Sequence, residues 1–502
     1  MSKLGVALIS LLNNEWSREK IYNGSSSVEL VKEKVMKLGE INLWHFVSDA
    51  ETDLSFYKKV FPDTSIIKTE IYSLLDECVK IFNECETVIF IYTDSPLTDM
   101  HVIDELLTLH NTELAEYSFT ENYPLGIGAE ILAYNTLKKL RNIASGNNEE
   151  FKRTSISRII NFDVNQYDVE VLVSDKDVRK ERLELVCDNK RNYLICKNFL
   201  NHFMGKKIAN KTEIYELIDT HPHYMRSVPA YIEIEITNSC NCECIICPRT
   251  HLMKREIQNM SLDKYKAIVN ELKSFCDDIS IAFTFMGEPT LHPKLFDMIE
   301  FTLKIPKITL IIETNGILLN KEMINRLAEF NNDKLIIIVA LDSPNDELYQ
   351  KLRSVNEFGN VENNVSVLLE KMPKNSYIQI LRLKENDEYL DAFYTRWHAY
   401  KDQIILQKYN DYKNQLEDRK GADLSPLKRF SCWHLKRDMI ILVDGTVAFC
   451  KQDINGIFSF GNVFTDGVKT AWDNLESAFV EDHKGNVKSF CENCDEWFTY
   501  NF

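Results

Sequence analysis

Positive charge is in short supply. The 502 residues carry 59 Lys and Arg against 76 Asp and Glu, a formal charge of −17. A general nucleic-acid binder leans basic, so DNA and RNA are excluded as broad partners. Long hydrophobic runs are missing too, and none is long enough to cross a bilayer. Low-complexity tracts are absent, while a hydrophobic content of 44% supports packed cores. Leu4 to Leu12 has the apolarity of a signal-peptide core. One lysine precedes it and no small-residue cleavage site follows in Asn13-Asn14-Glu15-Trp16, so it reads as a first buried strand of a cytoplasmic protein. A disulfide framework is excluded in the same spirit, because 13 cysteines is an odd number and fits a reducing compartment. Length alone predicts about three domains.

What is there begins with an α/β pattern over residues 1–210. Apolar runs such as Val88 to Tyr92 alternate with helical stretches such as Val28 to Leu38. The run at 88–92 leads into Asp94 and Asp99. A carboxylate at the C-terminal edge of a parallel strand is placed to hold a metal or nucleotide, or simply to cap the next helix. Further on, Tyr123 to Glu130 reads as a turn followed by a strand. Residues 205–228 read as a connector, with His221 and His223 in a solvated turn.

The centre of the sequence is Thr237-Asn-Ser-Cys-Asn-Cys-Glu-Cys-Ile-Ile-Cys-Pro-Arg249. Cys240, Cys244 and Cys247 are spaced C-x3-C-x2-C, short enough for three thiolates to hold three irons of one [4Fe–4S] cube and leave the fourth without a protein ligand. The alternative is a zinc knuckle or unpaired structural thiols. Cys242 falls off the spacing. This stretch resembles the cluster loop of radical S-adenosylmethionine (radical SAM) enzymes. The resemblance implies S-adenosylmethionine (SAM) on the open iron and radical chemistry on a substrate, with a reductant such as flavodoxin or ferredoxin.

Around the loop the pattern is serial. Ile232, Ile234 and Ile236 alternate with Glu233 and Glu235 as a strand. A helix follows with Leu262, Tyr265, Ile268, Val269, Leu272 and Phe275 on one face and Ser261 as its N-cap. Five further strands are predicted at 279–286, 308–313, 335–341, 377–382 and 403–408. Six β/α units over 229–410 make a partial (β/α)6 barrel, whose reactive groups gather at the C-terminal strand ends. Met286-Gly287-Glu288-Pro289 resembles the family's G-G-E-P motif, which grips the amino group of SAM. Thr314 and Asn315 after the third strand and Ser343 after the fourth resemble positions that line its ribose and carboxylate, with Arg353 following.

Residues 425–502 add Cys432, Cys450, Cys491 and Cys494. Asp444-Gly445 between apolar runs predicts a hairpin with a two-residue loop, which sets Cys450 opposite Met439 and near Cys432. Four thiolates suit a fully ligated cluster or a zinc ribbon. The arrangement resembles the SPASM/twitch extension in its one-cluster form, which implies an auxiliary [4Fe–4S] cluster. Asp94 to Asp99, Tyr123 to Glu130 and Arg182 to Asp188 resemble spore-coat-type sugar cytidylyltransferases, without that family's Gly/Arg-rich loop between Leu12 and Ser27. The whole chain resembles spiro-SPASM proteins. The expectation is a radical SAM oxidoreductase with a nucleotidyltransferase-like first domain, acting on a peptide or a small sugar- or cyclitol-like molecule. The rivals are a nucleotidyltransferase with an iron–sulfur regulatory tail and a non-enzymatic iron–sulfur or zinc protein.

Overall fold

The structure is a computed structural model that describes residues 3–11, 15–38, 41–47, 54–62, 66–68, 71–144, 150–204 and 210–499. Residues 12–14 of the expected phosphate-loop region and 205–209 of the connector lie outside the described residues. The chain divides into two compact units, Met1–Ser227 and Val228–Phe502. Among the described residues no helix is long and apolar enough to cross a membrane.

The first unit is a seven-stranded mixed sheet. Its chain begins with β1 (Lys3–Ser10), a small antiparallel ribbon of β2 (Lys20–Tyr22) and β3 (Ser25–Ser26), then β4 (Ile41–Val47), β5 (Ile66–Lys68), β6 (Cys85–Tyr92), β7 (Tyr117–Glu121), β8 (Glu130–Ala133) and β9 (Val169–Val173). The order across the sheet is β5-β4-β1-β6-β8-β7-β9, with β1 parallel to both β4 and β6 and β8 antiparallel to β6 and β7. β1 and β6 are apolar on both faces because helices cover both. Val6, Leu8, Ile89 and Ile91 pack on Val28, Val31, Ile103 and Leu106. Ala7, Ile9, Val88 and Phe90 pack on Leu74, Leu75, Leu137 and Leu140. The helix Ser27–Val35 starts at a capping box, with Ser26 and Glu29 satisfying each other's backbone N–H groups. The stretch 182–188 forms one isolated bridge, Glu184 with Leu125, and no regular strand.

The second unit holds an eight-stranded sheet. The strands are β10 (Tyr231–Ile234), β11 (Ile279–Phe283), β12 (Ile308–Thr314), β13 (Leu335–Ala340), β14 (Ser376–Arg382), β15 (Ile404–Lys408), β16 (Asp438–Ile441) and β17 (Val447–Ala448). Neighbours run in sequence from β15 back to β10, all parallel. One face of all six strands shares an apolar layer of Tyr231, Ala282, Ile311 and Ile338, with Tyr377 and Ile405 packed against it. That shared layer is what the concave face of an open (β/α)6 barrel requires. The expected helix is Leu262–Phe275, with Tyr265, Ile268, Val269 and Leu272 buried and Ser261 accepting from the Lys264 N–H.

β16 pairs parallel to β10, so the cysteine-rich segment continues the barrel sheet. The hairpin after it differs from the two-residue expectation. Ile440 pairs with Ala448 and Ile441 with Val447, and Leu442 N–H donates to Thr446 O at 2.9 Å. Three residues therefore form the loop. Only Gly445 takes positive φ, +88°, and its own N–H closes a turn onto Leu442 O at 2.8 Å. That is a turn ending in a left-handed glycine, the usual three-residue hairpin, and it moves the register by one residue from the predicted Met439–Cys450 facing.

Candidate functional site

A cavity of about 290 Å³ opens at the C-terminal ends of the barrel strands. Cys240, Cys244 and Cys247 line it together with Gly287, Glu288, Thr314 and Asn315. Pro289 and Ser343 are buried but do not line it. The Ser343 hydroxyl is engaged locally, donating to Asn345 O at 2.7 Å.

The cluster loop is seated by apolar packing, with Cys242, Cys244 and Ile246 in one buried group with Leu348, Leu352, Leu383 and Tyr409. Cys242 also faces the cavity, which its off-spacing position did not reveal. Its thiol lies between its neighbours. Hydrogen bonding from Cys242 pulls Cys240 down to about 7 and Cys244 down to about 6, the latter helped by the Arg353 charge. Burial pushes Cys247 up to about 11. Arg353 reaches Cys244 Sγ at 3.8 Å and is ion-paired to Asp342.

Glycine at 287 is required by close approach. A Cβ there would stand 2.0 Å from Thr237 O, on the strand end that leads into the cysteines. Met286, where the family motif has glycine, adopts the left-handed φ of +59°. Its side chain is held by packing on Phe285, Ile440, Leu442, Ala448 and Ile454. Glu288 is 2% exposed, and its carboxylate is filled from within the protein. Oε1 accepts from Thr314 Oγ1 at 2.6 Å and from Thr290 N at 3.1 Å, and Oε2 accepts from Asn315 N at 2.8 Å. The side chain of Glu288 therefore ties the end of β12 to the second strand end. Asn315 Nδ2 donates to Asn241 Oδ1 at 2.7 Å, joining that junction to the cysteine loop.

The wall facing this junction carries residues the sequence reading left without a role. Glu233 and Glu313 point into the cavity, with Gln379 Nε2 donating to Glu313 Oε1 at 2.8 Å. Burial raises both carboxyls to about 7. Strand alternation marked Glu233 as opposite in facing to Ile232, and that parity was the available signal. Tyr412, Lys451, Lys408 and Glu496 complete the wall, with Glu496 bonded to Lys408 and Lys451 at 2.6 Å each. The two lysines hold the Glu496 carboxyl at about 2 despite its burial.

Cys432, Cys450, Cys491 and Cys494 gather in the C-terminal segment, near enough that the ionisation of Cys432, Cys450 and Cys491 is opposed by charge on others of the set. Burial raises all four. Cys432 N–H donates to Asp482, and Glu496 N–H donates to Cys494 Sγ at 3.4 Å.

In the first unit, Asp99 caps the helix Met100–Thr112 by accepting from His101 N. Asp94, 1% exposed, is paired with the Arg153 guanidinium, which also stacks 4.0 Å over the Tyr92 ring. Glu130 accepts from Tyr117 and Tyr92. His221 and His223 form ring contacts with Tyr224, and His221 with His202.

Among the described residues no three His, Cys, Asp or Glu side chains close on a single metal-ion position. A four-iron cube presents a separate iron to each thiolate, so its ligands need not converge on one point. Three thiols of the right spacing, two of them with lowered pKa, fit such a cube beside a cavity, because the thiolate is the ligating form. Four gathered thiols fit a second, fully ligated one.

The family described as the radical SAM superfamily matches residues 234–396, and the SPASM iron–sulfur cluster-binding domain matches residues 432–495. An uncharacterised protein of Treponema pallidum is 30% identical over 367 residues, 70% of this chain and 100% of its own length. An S-adenosyl-L-methionine-dependent 2-deoxy-scyllo-inosamine dehydrogenase of Niallia circulans is 24% identical over 53% of this chain and 92% of its own length. Among solved structures, a cytidylyltransferase of Leptospira borgpetersenii aligns over 45% of this chain and 97% of its own, at 14% identity and a TM-score of 0.38. The chain belongs to the radical SAM superfamily, an enzyme family whose cofactors are a [4Fe–4S] cluster and SAM, and its SPASM domain adds an auxiliary iron–sulfur cluster.

Proposed function

We propose that this chain oxidises or rearranges a small substrate in the barrel cavity. Cys240, Cys244 and Cys247 hold the SAM-binding cluster, and Cys432, Cys450, Cys491 and Cys494 hold an auxiliary [4Fe–4S] cluster that transfers electrons. When bound, the first cluster and SAM supply a carbon radical that removes a hydrogen atom from the substrate. The observation that carries the reading is the convergence of the three thiols with Gly287, Glu288, Thr314 and Asn315 on one cavity.

The protein's own part is positional. Gly287 keeps the turn after β11 against Thr237, so its backbone can face SAM. Glu288 fixes Thr314 and Asn315, and Arg353 holds a positive charge against Cys244. Tyr409, Tyr412 and Leu381 contribute apolar surface to the cavity lining. Functionally the chain divides at 1–210, 229–410 and 425–502. The first part transfers no nucleotide: the Gly/Arg-rich loop is missing between Leu12 and Ser27, and the Asp94–Arg153 pair is consistent with that reading. A flavodoxin- or ferredoxin-type carrier provides the electron.

Iron content tests this. Anaerobically reconstituted protein should carry about eight irons per chain, and the Cys240→Ala/Cys244→Ala/Cys247→Ala variant about four. The Cys491→Ala/Cys494→Ala protein should still yield 5′-deoxyadenosine under dithionite. Zinc in place of iron in the triple variant would make the tail a structural ribbon and remove the auxiliary cluster from the scheme.

A further inference from the structure

The inward-facing residues of the six barrel strands change character in one step. The lower layer is apolar: Tyr231, Ala282, Ile311, Ile338, Tyr377 and Ile405. Two residues further along each strand, on the same face, stand Glu233, Thr284, Glu313, Ala340, Gln379 and Gln407, and all six line the cavity. The floor is therefore a ring with two carboxylates, two amides and a hydroxyl above a greasy base. Neither carboxylate has an ion-pair partner among the described residues, although Lys451 lies near enough to Glu233, and Arg353 to Glu313, to favour their charged forms. Among the described residues no Lys or Arg lies within ion-pair distance of Glu233 or Glu313, and the nearest lysine on that wall, Lys451, is bonded to Glu496 at 2.6 Å. Burying two acids without an ion-pair partner is costly, and a fold normally avoids it by pairing them or replacing them.

We propose that the cation is supplied by the substrate: the cavity takes a small hydroxylated amine, its ammonium against Glu233 and Glu313 and its hydroxyls on Gln379, Gln407 and Thr284. This rests on the radical SAM reading of the cavity. An anionic substrate would meet two like charges, while the cavity's Lys408, Lys451 and Arg353 are already bonded to Glu496 and Asp342, and a purely apolar one would leave the ring unsatisfied. SAM is itself a cation, and its ammonium or sulfonium is the other source of positive charge. Glu288, the acid beside the cysteine loop, is already filled by Thr290, Thr314 and Asn315. Glu233 instead faces Tyr231, Lys451, Asp438 and Glu313, on the wall built with the C-terminal strands, and Glu313 faces Gln379, Asp342, Arg353 and Glu288. Both carboxyls sit at about 7, so they are mostly protonated when empty at pH 6 and must ionise to receive an ammonium.

The test uses the full chain, anaerobically reconstituted and saturated with SAM, titrated calorimetrically with three six-carbon probes: glucamine, sorbitol and gluconate. Glucamine should bind most tightly and gluconate most weakly. Glucamine affinity should rise about tenfold from pH 6 to pH 8 for each carboxyl that must ionise, with proton release read from buffers of different ionisation enthalpy, while sorbitol should hardly change. Glu233→Gln/Glu313→Gln should erase the glucamine preference. Equal binding of the three, tightest binding of gluconate, or no binding of any overturns the proposal, and these arms need only wild-type protein. If Glu233→Gln loses more affinity for SAM than for glucamine, the carboxylate belongs to SAM and the proposal falls. Dithionite-driven 5′-deoxyadenosine is measured in the same samples. Its absence from wild type would refute the radical SAM assignment, whereas its presence without a charge preference would refute only the amine.

Discussion

Both units place carboxylates at the C-terminal ends of sheet strands, and they treat them in opposite ways. In the first, Asp94 after β6 is buried against Arg153, a cation contributed by the same unit. In the second, Glu233 near the end of β10 and Glu313 near the end of β12 face a cavity and, among the described residues, form no ion pair of their own. An acid whose partner is built in has its electrostatics settled at folding. An acid left open over a cavity is settled only when something binds. The position of an acid on a strand is thus a poor guide to chemistry, and its pairing is a better one.

The widest contrast is in catalysis. Cys244→Ala should lose more than about 100-fold in 5′-deoxyadenosine formation under dithionite, since even groups one step removed from a metal cost about 10–100-fold. Asp94→Ala should not change that rate, and no variant should release pyrophosphate from nucleoside triphosphates. Pyrophosphate release at ordinary turnover, lost in Asp94→Ala, would turn the comparison round.

Arg153→Ala strands a buried carboxylate. Denaturant melts should show a loss of about 2–3 kcal/mol, somewhat below the cost for a fully enclosed pair because the Arg153 side chain keeps 20% exposure. A change under 0.5 kcal/mol would mean that Asp94 reaches solvent or another donor.

Acidification should pull the two units apart. His45 is fully buried, and burial lowers it to about 3. Below about 6.5 the unfolded chain takes a proton that the fold refuses, so the first unit weakens by about 1.4 kcal/mol per pH unit. Glu233 is raised to about 7 from an ordinary 4.5. As pH falls from 7 towards 4.5 the folded state takes the proton first, so that contribution strengthens the second unit with a similar slope. Hydrogen exchange on the metal-free protein, corrected for its intrinsic slowing with acid, should therefore show protection falling in Ile41–Val47 and rising in Tyr231–Ile234 from pH 7 to pH 5. Equal shifts in both would discard the contrast.

The smallest effect is at the surface. Lys176 pairs with Asp219 at 2.6 Å, but Asp219 is 63% exposed. Lys176→Ala should cost under about 0.5 kcal/mol by the same melts, and a larger loss would show that pairing matters without burial.

Much of this was legible in the residues. The C-x3-C-x2-C spacing names its own geometry because ligands so close in sequence stay close in space. The six barrel strands were readable as apolar runs, and Ser261 as a cap, because these are local effects. The contact between Asp94 and Arg153 was not legible, since 59 residues separate them and nothing local records the pairing. Glu233 read as an alternating polar position, which fixes its face but not what that face encloses. The hairpin at Gly445 missed by one residue because Asp-Gly suits a two-residue turn, yet Asp444 keeps ordinary φ and only the glycine is left-handed. Ser343 resembled a SAM contact, and the hydrogen bond its hydroxyl donates to Asn345 O, just before the next helix, was not legible.

Lys451 follows Cys450 directly, and Glu496 lies two residues beyond Cys494, yet both side chains form the cavity wall and bond to each other at 2.6 Å. Two residues that flank the second thiol set thus meet in the cavity wall as an ion pair, with Lys408 as a second cation on Glu496. Part of the cavity wall is therefore built from the segment that carries the second thiol set, so the field that Glu233 faces depends on how that segment folds.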